Sequence, residues 1–326
     1  MIEKDVIIIG GGPCGLAAAI AMQEIGKDSI VIEKGNVVNA IYRYPTHQTF
    51  FSSSEKLEIG DVAFVTVEQK PRRNQALTYY REVVKRKNIA VNAYEKVLSV
   101  KKAKDEKFII STDKATYQST YVIVATGYYD QPNYMNIPGE DLPNVFHYFK
   151  EAHPFFDKDV VVIGGKNSSV DAAIELEKAG ARVTVIYRGA AYSPSVKPWI
   201  LPQFESLVRH QAIKMEFEAQ VKEITERSVI YEKGGERFEV KNDFVFAMTG
   251  YHPDHAFLQS MGIQKDEGTG KPKHNLETME SNVEGMYIAG VIAAGNNANE
   301  IFIENGRFHG GQIAAAIIQK EKEETI

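Results

Sequence analysis

The sequence predicts an α/β protein built from two doubly wound Rossmann-like domains, one inserted into the other. Three observations predict it. A strand–Gly turn–helix–strand unit occurs twice, as VIIIGGGPCGLAAAIAMQEIGKDSIVIEK from Val6 to Lys34 and VVVIGGKNSSVDAAIELEKAGARVTVIYR from Val160 to Arg188. Two further apolar runs, YVIVATG at Tyr121–Gly127 and DFVFAMTG at Asp243–Gly250, end alike and bracket the second unit. At 326 residues the chain is too long for one ordinary core and suits two.

The first unit opens on an apolar run of the kind a strand buried on both faces requires. Its turn is a full G-x-G-x-x-G, with Pro13 and Cys14 inside it. Gly10 permits the tight turn, Gly12 lets the backbone approach a pyrophosphate, and Gly15 lets helix and strand pack closely. Such a turn offers backbone N–H groups at a helix N-terminus to an anion. The following strand ends at Glu33, with Lys34 next. An acid there accepts hydrogen bonds from a ribose diol and repels a 2′-phosphate.

In the second unit the turn runs Gly164, Gly165, Lys166, Asn167, Ser168, Ser169, so Lys and Ser stand where the middle and last Gly would be. In register, Tyr187 replaces Glu33 and Arg188 replaces Lys34. An Arg with no acid beside it binds a 2′-phosphate. The first unit therefore suits FAD and the second NADPH. Two dinucleotides in one chain imply electron transfer between them. Lys197, in the loop after Arg188, is a second candidate donor to the phosphate.

Between Asn39 and Phe64 lies a connection rich in aromatic and hydroxyl residues, His47 and Thr49 among them, of the kind that folds over a ligand at the strand ends. Pro71–Lys87 reads as a helix with Leu77, Tyr80, Val83 and Val84 on one face, and Val91 to Thr120 as an antiparallel meander. Thr126 and Gly127 close the first bracketing strand and join the FAD site; Gly250 closes the second and joins the NADPH site. Gln131–Leu142 reads as a linker. The expected domains are 1–127 with 251–326 for FAD, and 128–250 for NADPH. The return segment gives a strand over Gly285–Gly290, with Gly290 at the FAD site, and a helix from about Arg307 to Glu323.

Composition excludes several classes. A net charge of −5 gives no support to binding nucleic acid or an anionic membrane. The N-terminal apolar stretch is broken by Gly and Pro and lacks a cationic leader, so neither a signal peptide nor a membrane span is expected, and the cytoplasm is the default compartment. One cysteine excludes an intrachain disulfide, a Cys-x-x-Cys pair and a Cys-rich metal site, and no metal is expected.

The paired units, the bracketing Thr-Gly strand ends and the terminal strand–turn–helix resemble the thioredoxin-reductase-like group of two-dinucleotide-binding-domain flavoproteins over essentially the whole chain. GGGPCG at Gly10–Gly15, TFFSSSEKLEIG at Thr49–Gly60, GGKNSSVDAA at Gly164–Ala173 and FIENGRFHG at Phe302–Gly310 resemble the bacillithiol disulfide reductase family. That resemblance implies an oxidoreductase using FAD and NADPH on a small-molecule disulfide, bacillithiol disulfide foremost. A homo-oligomer is also expected. Two departures from the wider group matter. Val145–Asp159 carries no cysteine where thioredoxin reductases carry a dithiol, and Ala289-Gly290-Val291 stands where many relatives have Ala-Gly-Asp, with Asp on the flavin ribityl chain.

Function then turns on Cys14. Near a helix N-terminus the dipole favours its thiolate, which would attack a small disulfide beside the flavin. The plain alternative is a small apolar filler, for which Ala would serve. His47 is a weaker catalytic candidate, as a proton donor to a departing thiolate; a structural or substrate-lining place is the alternative. His309, Arg307, Tyr128 and Tyr129 flank the same region, and packing is their alternative. Two other functions are open at this point: an electron-transfer flavoprotein reducing ferredoxin or flavodoxin without a thiol, and a flavin-bearing redox sensor.

Overall fold

The structure, a computed structural model, describes residues 1–297 and 299–324. Residues 325–326, the end of the expected first domain, lie outside the described residues. The first segment forms β1 Ile2–Ile9, α1 Pro13–Glu24, β2 Ser29–Glu33, α2 Asn39–Arg43, α3 Arg73–Arg86, β3 Val91–Ala93, β4 Val97–Lys102, β5 Phe108–Thr112 and β6 Thr116–Val124. The middle forms β7 Val145–Phe146, β8 Asp159–Ile163, α4 Asn167–Lys178, β9 Arg182–Ile186, α5 Leu201–Arg209, β10 Ile213–Glu216, β11 Ala219–Ile224, β12 Ser228–Lys233, β13 Glu236–Lys241 and β14 Phe244–Ala247. The last forms α6 His255–Ser260, β15 Met286–Ile288, α7 Ile303–Gly306 and α8 His309–Glu324.

Two units result, Met1–Gln131 with Tyr251–Ile326, and Pro132–Gly250. The first crossing therefore falls after Gln131, not after Gly127. Side chains explain the shift. Asp130 pairs with Lys34 at 2.9 Å and with Arg43, so the start of the crossing is fastened to the ends of β2 and α2. The Tyr129 ring lies 5.1 Å from that of Tyr44 and 4.6 Å from that of Tyr251, and Gln131 donates to Asp254.

In the first unit the sheet order is β3-β2-β1-β6-β5-β4, with β15 also on β6. β1 runs parallel to β2 and β6, in register from Val6 opposite Tyr121 to Ile9 opposite Val124. Ile7, Ile8 and Val122 to Val124 are wholly buried, which accounts for their unbroken apolar runs. Only β4, β5 and the start of β6 form the expected antiparallel meander; β3 is a parallel edge strand beside β2. β6 is one strand from Thr116, because its first half pairs β5 and its second half β15. α3 buries Ala76, Tyr79, Tyr80 and Val83, with Leu77 and Val84 at the edge of the core. α1 is Ala-rich because α8 crosses it closely: a Cβ on Gly310 would lie 2.7 Å from Ala18 Cα.

The second unit has a parallel sheet in the order β10-β9-β8-β14-β7 and a separate antiparallel sheet β11-β12-β13. Its core packs α4 and α5 on the parallel sheet, with Val160, Val162, Val185, Leu176 and Phe204 nearly or fully buried. The β12–β13 hairpin turns at Gly234 and Gly235, both in the left-handed region that a tight turn requires.

Candidate functional site

At the first turn each glycine meets a different demand. Gly10 sits at φ +111°, and a Cβ there would lie 2.4 Å from Ala125 O. A Cβ on Gly15 would lie 2.0 Å from Gly10 O. Gly12 differs: its backbone is extended and a Cβ would meet no protein atom within 4 Å. Gly12 is also the N-cap of α1 and provides no side-chain cap, so the first N–H groups of the helix lack one. Pro13 at the first helical position costs no hydrogen bond. Thr126, whose Cα would lie 3.2 Å from a Gly10 Cβ, has a buried Oγ1 with no partner, and Gly127 beside it sits at φ +70°. An uncapped helix start, an open place at Gly12 and an orphaned buried hydroxyl fit a pyrophosphate-bearing dinucleotide.

Glu33 lies against this turn. Its Oε2 accepts from Gly11 N–H and its Oε1 from Gly35 N–H, both at 2.7 Å. Burial pushes the carboxyl above the usual carboxylate range, and these two backbone donors offset only part of that rise. Each oxygen keeps a lone pair for a ribose diol. Lys34 is held by Asp130, so it anchors the crossing.

The second turn repeats the geometry with other side chains. Gly164 sits at φ +136°. A Cβ on Gly165 would lie 2.4 Å from the Tyr187 ring, as one on Gly11 would lie 3.0 Å from Glu33 Cβ, so Tyr187 occupies the place of the acid. Lys166 is an extended N-cap, and Ser169 is buried with Oγ donating to Lys166 O at 2.8 Å. That bond satisfies the hydroxyl and lets Ser stand where the first turn has Gly. Ser168 is exposed in the first turn of α4. Asn167 is occupied: its Nδ2 donates to Ser195 O and its Oδ1 accepts from Lys197 N–H. Lys197 stands in a different setting from the exposed one its loop suggests. It is buried, and its ammonium pairs with Asp171 of α4 at 3.1 Å, so it pins the loop to the helix and is not placed as an exposed second donor to a phosphate. Arg188 is exposed, has no ion pair among the described residues, and lines a cavity of about 360 Å³ with Ala190, Glu218 and Gln220. Gly250 sits at φ +93°, where a Cβ would lie 3.1 Å from Asn133 Nδ2.

The thiol lies in a different setting from the one its helix position suggests. Cys14 is 9% exposed, and Cβ atoms on Gly290 and Gly306 would each lie 3.0 Å from its Sγ. Burial pushes the thiol up to about 12. Gly290, at φ +77°, donates its N–H to His309 Nδ1 at 3.1 Å. That bond leaves the proton of the neutral ring on Nε2. Arg307 donates to Glu55 O and Glu58 O, joining FIENGRFHG to TFFSSSEKLEIG. His47 stands in an exposed turn, and Thr49 bridges Arg72 just beyond it. Tyr44, edge-on to Tyr129, carries no spacing signal in the sequence.

Burial and the nearby His274 lower the His309 pKa from 6.5 to about 4. The unfolded chain then takes up this proton more readily, so the stabilisation is complete above pH 6.5 and is lost as pH falls towards about 4. Discounted for partial exposure, the loss is roughly 2–3 kcal/mol. His309→Asn, which keeps an acceptor for Gly290 N–H, should flatten the fall in denaturant-measured stability over that window. An unchanged slope would remove His309 as its source.

Two Gly-turn units, one with an acid at its strand end and one with an exposed arginine after it, define a flavoprotein oxidoreductase that uses FAD and NADPH. Residues 7–290 match the pyridine nucleotide-disulphide oxidoreductase family. The chain is 70% identical to bacilliredoxin reductase Bdr of Bacillus subtilis, over 98% of this chain and 99% of that one. Solved structures of bacillithiol disulfide reductase from Bacillus cereus and Staphylococcus aureus superpose with TM-scores of 0.96 each. Their identities are 66% and 62%, covering 98% of this chain and 99% and 100% of theirs. The chain belongs to the bacillithiol disulfide reductase family of pyridine nucleotide-disulphide oxidoreductases. No helix among the described residues is long and apolar enough to cross a membrane.

Proposed function

We propose that this chain uses NADPH to reduce a small-molecule disulfide, bacillithiol disulfide, with Cys14 as the thiol that opens it. The reading is supported by one observation above the others: the turn is built twice, with Glu33 on Gly11 in one copy and Tyr187 on Gly165 beside an exposed Arg188 in the other. Gly10 to Gly15, Glu33, Thr126, Gly127 and Gly290 would hold FAD; Gly164 to Ser169, Arg188 and Gly250 would hold NADPH. The chemistry FAD supplies when bound is two-electron transfer from the nicotinamide hydride to a disulfide. The chain's own part in thiol exchange is at Sγ. Cys14 as thiolate displaces one bacillithiol and forms a mixed disulfide. Two electrons and two protons then release the second bacillithiol and restore the thiol. The resting chain holds Cys14 protonated and closed between Gly290 and Gly306, so exchange requires that wall to part. The same reading places a homo-oligomer in the cytoplasm.

Arg188→Ala should weaken NADPH binding about 10- to 100-fold, the worth of one charge-assisted contact to phosphate, and leave NADH nearly unaffected. Equal losses for both would put Arg188 in the fold. The activity is tested by steady-state NADPH oxidation with bacillithiol disulfide, other small disulfides, a ferredoxin and a flavodoxin. Acceleration by bacillithiol disulfide is expected. Acceleration by an iron–sulfur or flavin protein alone would replace this reading with an electron-transfer one.

A further inference from the structure

We propose that Glu218 tunes how strongly the inserted unit prefers a 2′-phosphate over a free ribose diol, by placing a carboxylate in the same cavity as Arg188. The proposal rests on the reading of Arg188 as the phosphate donor. The cavity is lined by Arg188, Ala190, Glu218 and Gln220. Glu218 is brought there by β10, the strand parallel to β9. Its N–H donates to Gly189 O at 2.9 Å, and the next N–H, of Ala219, donates to Tyr187 O at 3.1 Å. The backbone at Glu218 is left-handed, at φ +53°, an uncommon conformation for a residue with a side chain. Two backbone bonds therefore fix an acid beside the segment that carries Arg188.

The other charges nearby are already engaged. Glu216 pairs with Lys233 at 2.8 Å, Lys222 pairs with Glu232 at 3.2 Å, and the neutral Gln220 accepts from Lys222. Arg188 and Glu218 have no ion pair among the described residues, and the Lys233 ammonium, paired to Glu216, also feels the Glu218 carboxylate, so the cavity carries one cation and one anion, neither held in an ion pair. These two groups have opposite preferences. Arg188 attracts the roughly −2 charge of a 2′-phosphate, and Glu218 repels it. Glu218 accepts hydrogen bonds from a ribose diol, as Glu33 is placed to do in the first unit, and Arg188 gains little from one. The pocket is thus a compromise, with its phosphate selectivity held below what Arg188 alone would give.

The test is calorimetric binding of adenosine 2′,5′-bisphosphate and of adenosine 5′-monophosphate to the FAD-loaded wild type, Glu218→Gln and Arg188→Ala proteins. In an open cavity of high dielectric, removing the acid should tighten the bisphosphate about 3- to 10-fold and leave the monophosphate within about twofold. The gain should shrink as salt is raised, because both charges are exposed. If Glu218→Gln binds the bisphosphate with wild-type affinity while Arg188→Ala weakens it, the role of Glu218 is overturned and the phosphate reading stands. If Arg188→Ala binds both nucleotides like the wild type, the phosphate reading itself falls, and the role of Glu218 with it.

Discussion

Gly12→Val should yield a folded, colourless protein. Flavin retention should fall from stoichiometric to none, the largest change any single side chain here is expected to cause. The reason is the space at Gly12. A Cβ there meets no protein atom within 4 Å and the backbone is extended, so valine strains nothing in the chain. It fills the place where a pyrophosphate would approach α1. Gly15→Ala is the contrasting variant. Its Cβ would lie 2.0 Å from Gly10 O, so the strand and helix must separate and the fold itself suffers, by about 1–3 kcal/mol or more. Visible absorbance and denaturant unfolding separate the two. A yellow Gly12→Val protein with stoichiometric FAD would show that the first turn does not hold the dinucleotide.

Cys14→Ala should keep its flavin and its bleaching by NADPH while losing disulfide-dependent turnover. The chain has one cysteine, so no second thiol replaces it. Alanine fits the slot between Gly290 and Gly306 and leaves the turn intact, whereas a serine hydroxyl would add a buried polar group. The wild-type protein trapped with substrate should carry a mass increment on the Cys14 peptide. Wild-type turnover by Cys14→Ala would make Cys14 a packing residue and place the attack on sulfur with the reduced cofactor. Its burial and its high pKa set the cost that a nucleophilic role must overcome.

What was legible in the sequence was local. Gly10, Gly12 and Gly15 could be assigned separate duties because each duty is fixed by the turn's own backbone. The pairing of Glu33 with Tyr187 followed from counting along two similar units, and Gly11 and Gly165 now show both side chains lying on the same turn position. What was not legible depends on partners distant in sequence. Cys14 reads as an activated thiol from its helix position, yet Gly290 and Gly306, from the far end of the chain, bury it. Lys197 reads as a phosphate donor from its loop, and Asp171 on α4 takes its charge. Glu218 enters the Arg188 cavity only because β10 lies beside β9. The β11-β12-β13 sheet went unread although Gly234 and Gly235 are a hairpin signal; flanking lysines and glutamates hide the alternation of its strands.

Transfer of electrons from NADPH through this chain onto a small disulfide is the step on which its function rests. Its most direct test is anaerobic: bleach the FAD-loaded protein with one equivalent of NADPH, then mix it with bacillithiol disulfide. The yellow oxidised spectrum should return, and two bacillithiol thiols should appear for each NADPH consumed. A spectrum that stays bleached with the disulfide and returns only when a ferredoxin or flavodoxin is added would contradict that transfer.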